Sequence, residues 1–142
     1  MQLNPYLSFD GNTEEAFNFY KSVFGGEFAF VMRYKDVPAD VPMPDKNPAD
    51  DNRIMHVSLP VGQSMLMASD APSHLKLNQG NNLQISISVD SKEDADRIFS
   101  GLSSGGSVMM PMSDAFWGDY FGMATDQFGI NWMISFNENP PK

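Results

Sequence analysis

The sequence predicts an α+β fold made of two βαβββ modules. Three observations carry this. A short alternating strand is followed by a capped, amphipathic helix near the N-terminus, and the same order returns in the second half. The two copies superpose at an offset of 80 residues, Asp10 on Asp90, Phe19 on Phe99 and Gly25-Gly26 on Gly105-Gly106. An aromatic, glycine-punctuated run, Ala115–Ile134, reads as the final hairpin.

In chain order, Tyr6-Leu7-Ser8-Phe9 alternates as a strand and Asp10-Gly11-Asn12 ends it. Asn12, with Glu15 three residues on, is the expected helix cap. Ala16, Phe17, Tyr20, Val23 and Phe24 fall at helical spacing and form one apolar face. Gly25-Gly26 stops the helix, and residues 27–34 return as a strand. Residues 36–52 hold four of the ten prolines and five aspartates, so they are read as a loop, a mobile flap beside a binding cleft. Residues 53–60 and 64–69 form a hairpin about Val61-Gly62-Gln63, and residues 70–82 are a polar connection. Module one thus spans about 1–72.

Module two spans about 82–138. Residues 83–89 alternate as a strand. Ser91 caps a helix whose apolar face is Ala95, Ile98, Phe99 and Leu102, and Gly105-Gly106 stops it. Asp126-Gln127-Phe128-Gly129 is a tight turn with Gly129 at positive φ, before a last strand over 130–136. An apolar sheet face must be covered, and the other copy is the nearest candidate to cover it.

Composition removes whole classes of function. Net charge is −9 and the pI about 4.4, so phosphate backbones are repelled and nucleic acid is excluded as a partner. With no cysteine there is neither a disulfide framework nor a thiolate site. No apolar run approaches the ~18 residues of a membrane span, and the N-terminus lacks a basic leader, so the expected location is cytoplasmic with no membrane partner.

Several stretches carry a family resemblance: Pro5–Phe9 followed by Ala16–Tyr20, Ile54-Met55-His56, Leu66–Asp70, Phe116-Trp117-Gly118, and Asp126–Gly129 through Trp132–Ile134. Together they resemble the PhnB-like branch of the vicinal-oxygen-chelate superfamily, which contains glyoxalase I, ring-cleaving dioxygenases and bleomycin-resistance proteins. The resemblance implies a glyoxalase-like curled mixed sheet around a shared cleft, in a homodimer. Branch members have been labelled methyltransferases, but this chain has no Gly-rich strand-to-helix turn to cradle a nucleoside cofactor.

The resemblance also locates the superfamily's metal ligands. The first falls at Asn4 or Pro5, the second near Met67 to Ser69, the third on Gln84 and the fourth on Met133. Amides, a proline and thioethers make a poor site for a hard or borderline divalent ion, so no metal and no other cofactor is expected. The pocket candidates are His56, Met67, Ser69, Asp70, Gln84, Phe116, Trp117 and Tyr120. His56 is either a structural histidine or a pocket acid/base. Asp70 and Asp126 are also natural turn formers. Trp132, mid-strand, is assigned to the core. No catalytic constellation is evident. The expected function is binding of a small, partly apolar ligand in the module cleft, with sequestration of a toxic compound as one use. The alternative is a metal-dependent lyase, isomerase or dioxygenase of the same superfamily.

Overall fold

Each half of the chain folds as a four-stranded sheet carrying one helix. The computed structural model describes residues 1–43 and 46–139. The chain divides into two units, Met1–Asn78 and Gln79–Lys142. The first holds β1 (Tyr6–Phe9), α1 (Thr13–Phe24), β2 (Phe30–Arg33), β3 (Ile54–Val61) and β4 (Ser64–Asp70). The second holds β5 (Ile85–Ser88), α2 (Lys92–Ser103), β6 (Ser107–Asp114), β7 (Tyr120–Thr125) and β8 (Asn131–Phe136). The sheet orders, β1-β4-β3-β2 and β5-β8-β7-β6, are the same topology twice. In both, the first strand is parallel to the last, and the other pairs are antiparallel. Tyr6 lies opposite Met67 in the first sheet and Ser86 opposite Met133 in the second.

Alternation decides which side chains go inside. In β1, Leu7 and Phe9 are buried, and in β4 Leu66, Ala68 and Asp70 are buried. α1 lies across β3 and β4 with Ala16, Phe17, Tyr20 and Val23 inside. In the second unit Ala95, Ile98, Phe99 and Leu102 of α2 are buried, as are Trp132 and Ile134 of β8. Each large apolar side chain so placed contributes roughly 1.5–3 kcal/mol of transfer free energy.

The two helices are capped differently. Ser91 Oγ accepts from Asp94 N at 3.1 Å, as its sequence position predicts. Asn12, the expected cap of α1, makes no side-chain cap bond. Asp70 replaces it. The parallel register sets Phe9 opposite Asp70, which brings the carboxylate to the helix start. A charged acceptor at the positive end of the helix dipole is a stronger partner than an amide.

β2 is shorter than the expected strand over 27–34. Asp36 accepts from Arg33 N at 3.0 Å, and the chain leaves the ladder as a 3-10 turn, Tyr34–Asp36. Within the expected flap, Pro44 and Asp45 lie outside the described residues. Its far end is anchored rather than free. Pro48–Asp50 forms a 3-10 turn capped by Asn47, and the buried Asp50 accepts from Ser73 N and sits 3.4 Å from Arg53 Nε. The Asp126–Gly129 turn forms as expected, with Gly129 at φ 89°. β6 is an edge strand whose ladder is irregular between Val108 and Ser113, around Pro111, which has no N–H to give.

Candidate functional site

In each sheet one face meets the helix and the other does not. In the first sheet the second face can be followed across the ladders. Tyr6 lies opposite Met67, Met67 opposite Ser58, Ser58 opposite Phe30, and Met32 opposite His56. Two aromatic rings on this face stay open to solvent, Tyr6 at 50% and Phe30 at 44% exposure.

A hydrogen-bonded chain runs across it. The Tyr6 hydroxyl lies 3.1 Å from His56 Nδ1 and also hydrogen-bonds Ser69 Oγ. The Tyr6 ring stacks on the His56 imidazole, centroids 5.7 Å apart and planes 28° apart. Phe30 flanks the imidazole from β2 at 5.6 Å. Of the sequence candidates, the structure therefore brings His56, Met67 and Ser69 together. Tyr6 and Phe30 were missed. The signal for Tyr6 was available, because the alternation that buries Leu7 and Phe9 turns Tyr6 to the opposite face.

Asp70 is not on this face, which corrects its place among the pocket candidates. It is 1% exposed and points towards α1. Its Oδ1 accepts from Gly11 N (2.9 Å), Thr13 N (3.0 Å) and Thr13 Oγ1 (2.7 Å), and its Oδ2 from Ile54 N (2.8 Å). With four donors and almost no exposed surface, the carboxylate is engaged within the fold and out of a ligand's reach. Tyr34 donates to the Asp70 carbonyl at 2.8 Å. Burial, then the nearby Asp70 and Asp50 charges, hold the Tyr34 hydroxyl above the ordinary tyrosine range. A recess beside it, lined among others by Asp50, Pro72 and His74, has a volume of about 40 Å³, room for a few waters.

In the second unit the candidates separate. Tyr120 turns to α2: its hydroxyl donates to Asp96 at 2.5 Å and Lys92 Nζ sits 4.9 Å over its ring. The bond to Asp96 raises its pKa. That engagement ties the Tyr120 hydroxyl to α2. Gln84 Nε2 donates to Asn81 O at 3.2 Å. Phe116 and Trp117 stand on the loop between β6 and β7, 98% and 53% exposed. Trp117 is held there. Its Nε1 donates to Asp119 Oδ2 at 3.0 Å and its ring meets Phe121 edge-on at 5.7 Å. Asn137 Nδ2 holds the other Asp119 oxygen at 2.7 Å, and Phe116 packs edge-on against Trp117 at 5.0 Å. Within their own unit these rings form a projecting tip rather than the wall of a cavity. Asp126, by contrast, is a turn former as expected, accepting from Phe128 N, Ile130 N and Trp132 Nε1.

The positions that the resemblance assigns to metal ligands do not suit a hard or borderline divalent ion. Asn4 Oδ1 already accepts from Met65 N at 3.0 Å, and Met67 and Met133 offer thioethers. Among the described residues no three His, Asp or Glu side chains cluster as a metal site would need. No helix among them is long and apolar enough to cross a membrane.

Two matched sheets, each with one helix and this strand order, are a specific fold, and comparison with known proteins agrees. Residues 2–134 match the Glyoxalase/Bleomycin resistance protein/Dioxygenase superfamily. The chain belongs to that superfamily. Protein YjdN of Escherichia coli K12 is 30% identical over 148 residues, covering 99% of both chains. The crystal structure of protein PA1353 from Pseudomonas aeruginosa matches with a TM-score of 0.85 and 39% identity, over 98% of this chain and 99% of that one. A PhnB protein from Bacillus cereus, described as a putative 3-demethylubiquinone-9 3-methyltransferase, matches with a TM-score of 0.76 and 22% identity, over 96% and 99% of the two chains. The first two of these relatives extend the likeness over the whole chain, and the last one supports the fold alone.

Proposed function

We propose that this superfamily member binds a small, partly apolar molecule on the Tyr6–His56–Met67 face of its first sheet, without a metal ion. The observation that carries the reading is the open aromatic pair beside a polar chain. Tyr6 and Phe30 keep about half their surface in water while flanking His56, and Met32 and Met67 complete an adaptable apolar surround. Aromatic and thioether surface left uncovered beside ordered polar atoms is the usual composition of a ligand-binding surface.

The test is a small-molecule screen on the full chain, followed by backbone and methionine-methyl NMR. Binders should move Met32, Met67 and His56 signals. Hits that move only residues elsewhere would overturn the reading. Removing divalent ions with a chelator should leave the affinity of those hits unchanged, and a loss of binding on chelation would favour the metal-dependent alternative.

A further inference from the structure

His56 uses only one ring nitrogen. Nδ1 meets the Tyr6 hydroxyl, and Nε2 makes no hydrogen bond among the described residues. Nor is Nε2 sealed in, since Asp50 Oδ1 is the one buried side-chain atom without a hydrogen-bond partner among those residues. So Nε2 keeps some access to solvent, and its chemistry depends on which nitrogen carries the proton. That follows from the chain behind it. A continuous chain through Ser69 Oγ, Tyr6 OH and His56 Nδ1 runs in one of two directions. Either serine donates to tyrosine and tyrosine to imidazole, or imidazole donates to tyrosine and tyrosine to serine. The third arrangement, in which serine and imidazole both donate to the tyrosine oxygen, leaves the best donor out of the chain. A phenol is a stronger donor than an aliphatic hydroxyl, and an imidazole nitrogen is a stronger acceptor than a hydroxyl oxygen. The first direction pairs the better donor with the better acceptor.

We propose that the Ser69–Tyr6–His56 chain holds His56 as the Nε2–H tautomer, so that this face offers one N–H donor in an apolar surround. It then selects neutral molecules that carry a carbonyl-type acceptor oxygen on a flat apolar body. This rests on the face being a binding surface. Neutrality follows from charge. No strand residue that the ladders place on the face is an Asp, Glu, Lys or Arg, and the chain as a whole carries −9, which disfavours anions. The flat body follows from the open Tyr6 and Phe30 rings on either side of the imidazole. An acceptor oxygen is required because a desolvated donor left unpaired disfavours any ligand that lacks one. Tyr6 acts through His56 and is therefore a positioning residue.

Long-range nitrogen–proton NMR of the full chain, with His56 assigned against a His74→Asn variant, reads the tautomer directly. The expected spectrum has Nε2 protonated and Nδ1 bare but hydrogen-bonded. Tyr6→Phe should move the Nδ1 signal to that of a free acceptor, and Ser69→Ala should move it part of the way. A proton found on Nδ1 in the wild type would overturn the proposal. Acetophenone is the probe, ethylbenzene the same body without the acceptor, and benzoate the anion. Acetophenone should bind several-fold, up to ~10-fold, more tightly than either, as one charge-free hydrogen bond allows. His56→Phe should abolish the difference from ethylbenzene while circular dichroism shows the fold retained. If acetophenone and ethylbenzene shift Met67 and Met32 equally, the face binds ligands but the donor does not select them, and the proposal fails alone. If no probe shifts them, this proposal falls and the binding reading falls with it.

Discussion

Asp70 Oδ1 accepts both the backbone N–H and the hydroxyl of Thr13, at 3.0 and 2.7 Å, so the last residue of β4 caps the first turn of α1. Its other oxygen takes Ile54 N at 2.8 Å. One buried side chain therefore ties together helix, first strand and hairpin. Asp70→Ala strands several buried donors and should cost about 2–4 kcal/mol, the loss of a cap plus unpaired backbone N–H groups. Thr13→Val removes one bond of the set and should cost about 1–2 kcal/mol. Urea denaturation would check both, and equal losses for the two variants would contradict the central role of Asp70.

That relationship was beyond local sequence reading. The Asn12 to Glu15 spacing is a legitimate cap signature, and it lost to a residue 58 positions away, brought in by parallel pairing of β1 with β4. What local pattern does decide was legible. The buried faces of both helices, the Ser91 cap, the Gly129 turn and the buried Trp132 all follow from spacing within one element. His56, Met67 and Ser69 were legible as candidates. Alternation turns Tyr6 to the face opposite Leu7 and Phe9, but its meeting with His56 needs the register of three strands at once. Tyr120 shows the same gap, since its bond to Asp96 of α2 is a tertiary contact across 24 residues.

The two tryptophans should behave as opposites. Trp132 is 2% exposed with its indole N–H on Asp126, whereas Trp117 is 53% exposed. Trp132→Ala should cost ~3–5 kcal/mol. Trp117→Ala should cost under about 1 kcal/mol, as for most surface changes. A thermal midpoint that falls as far for Trp117→Ala as for Trp132→Ala would contradict the assignment.

Gly106 is fixed by its neighbours rather than by its own torsions. A Cβ there would lie 2.1 Å from the Thr125 carbonyl oxygen and 2.8 Å from the Asp126 carbonyl carbon, both backbone atoms that cannot swing aside. Gly106→Ala should therefore cost about 2–3 kcal/mol by forcing β7 away from the end of α2. Gly26→Ala is the control at an open position, where no atom lies within 4 Å and only the φ of 83° opposes a side chain, so its loss should be the smaller.

A homodimer is the expected assembly. The edge strand β6 exposes Val108, Met109 and Met110 at 50%, 56% and 45%, and Phe116 projects beyond it. Apolar side chains exposed along a sheet edge favour covering by another chain. Sedimentation velocity at micromolar concentration should give a mass near twice 15.8 kDa, with Met109→Lys plus Phe116→Ser shifting it towards the single chain. A wild-type mass of one chain would refute the expectation.

Tyr34 supplies a prediction in pH. Burial and the Asp70 and Asp50 carboxylates raise its pKa in the folded chain above the 10.0 of a free tyrosine. Below that value both folded and unfolded chains keep the proton, and the stabilisation is complete. Above it the unfolded chain loses its proton first, so stability falls as pH climbs through the folded pKa. Tyr34→Phe cannot show this loss. At pH 8 the variant should be less stable than wild type by about 1 kcal/mol, for the missing bond to the Asp70 carbonyl. At pH 11 the gap should narrow, because only the wild type holds a phenol that prefers to ionise in the unfolded state. The ring is only half-buried, so solvent screening keeps the narrowing partial. Paired urea titrations at the two pH values decide it, and a gap that stays constant or widens on the alkaline side would show that neither burial nor the two carboxylates raises the Tyr34 pKa.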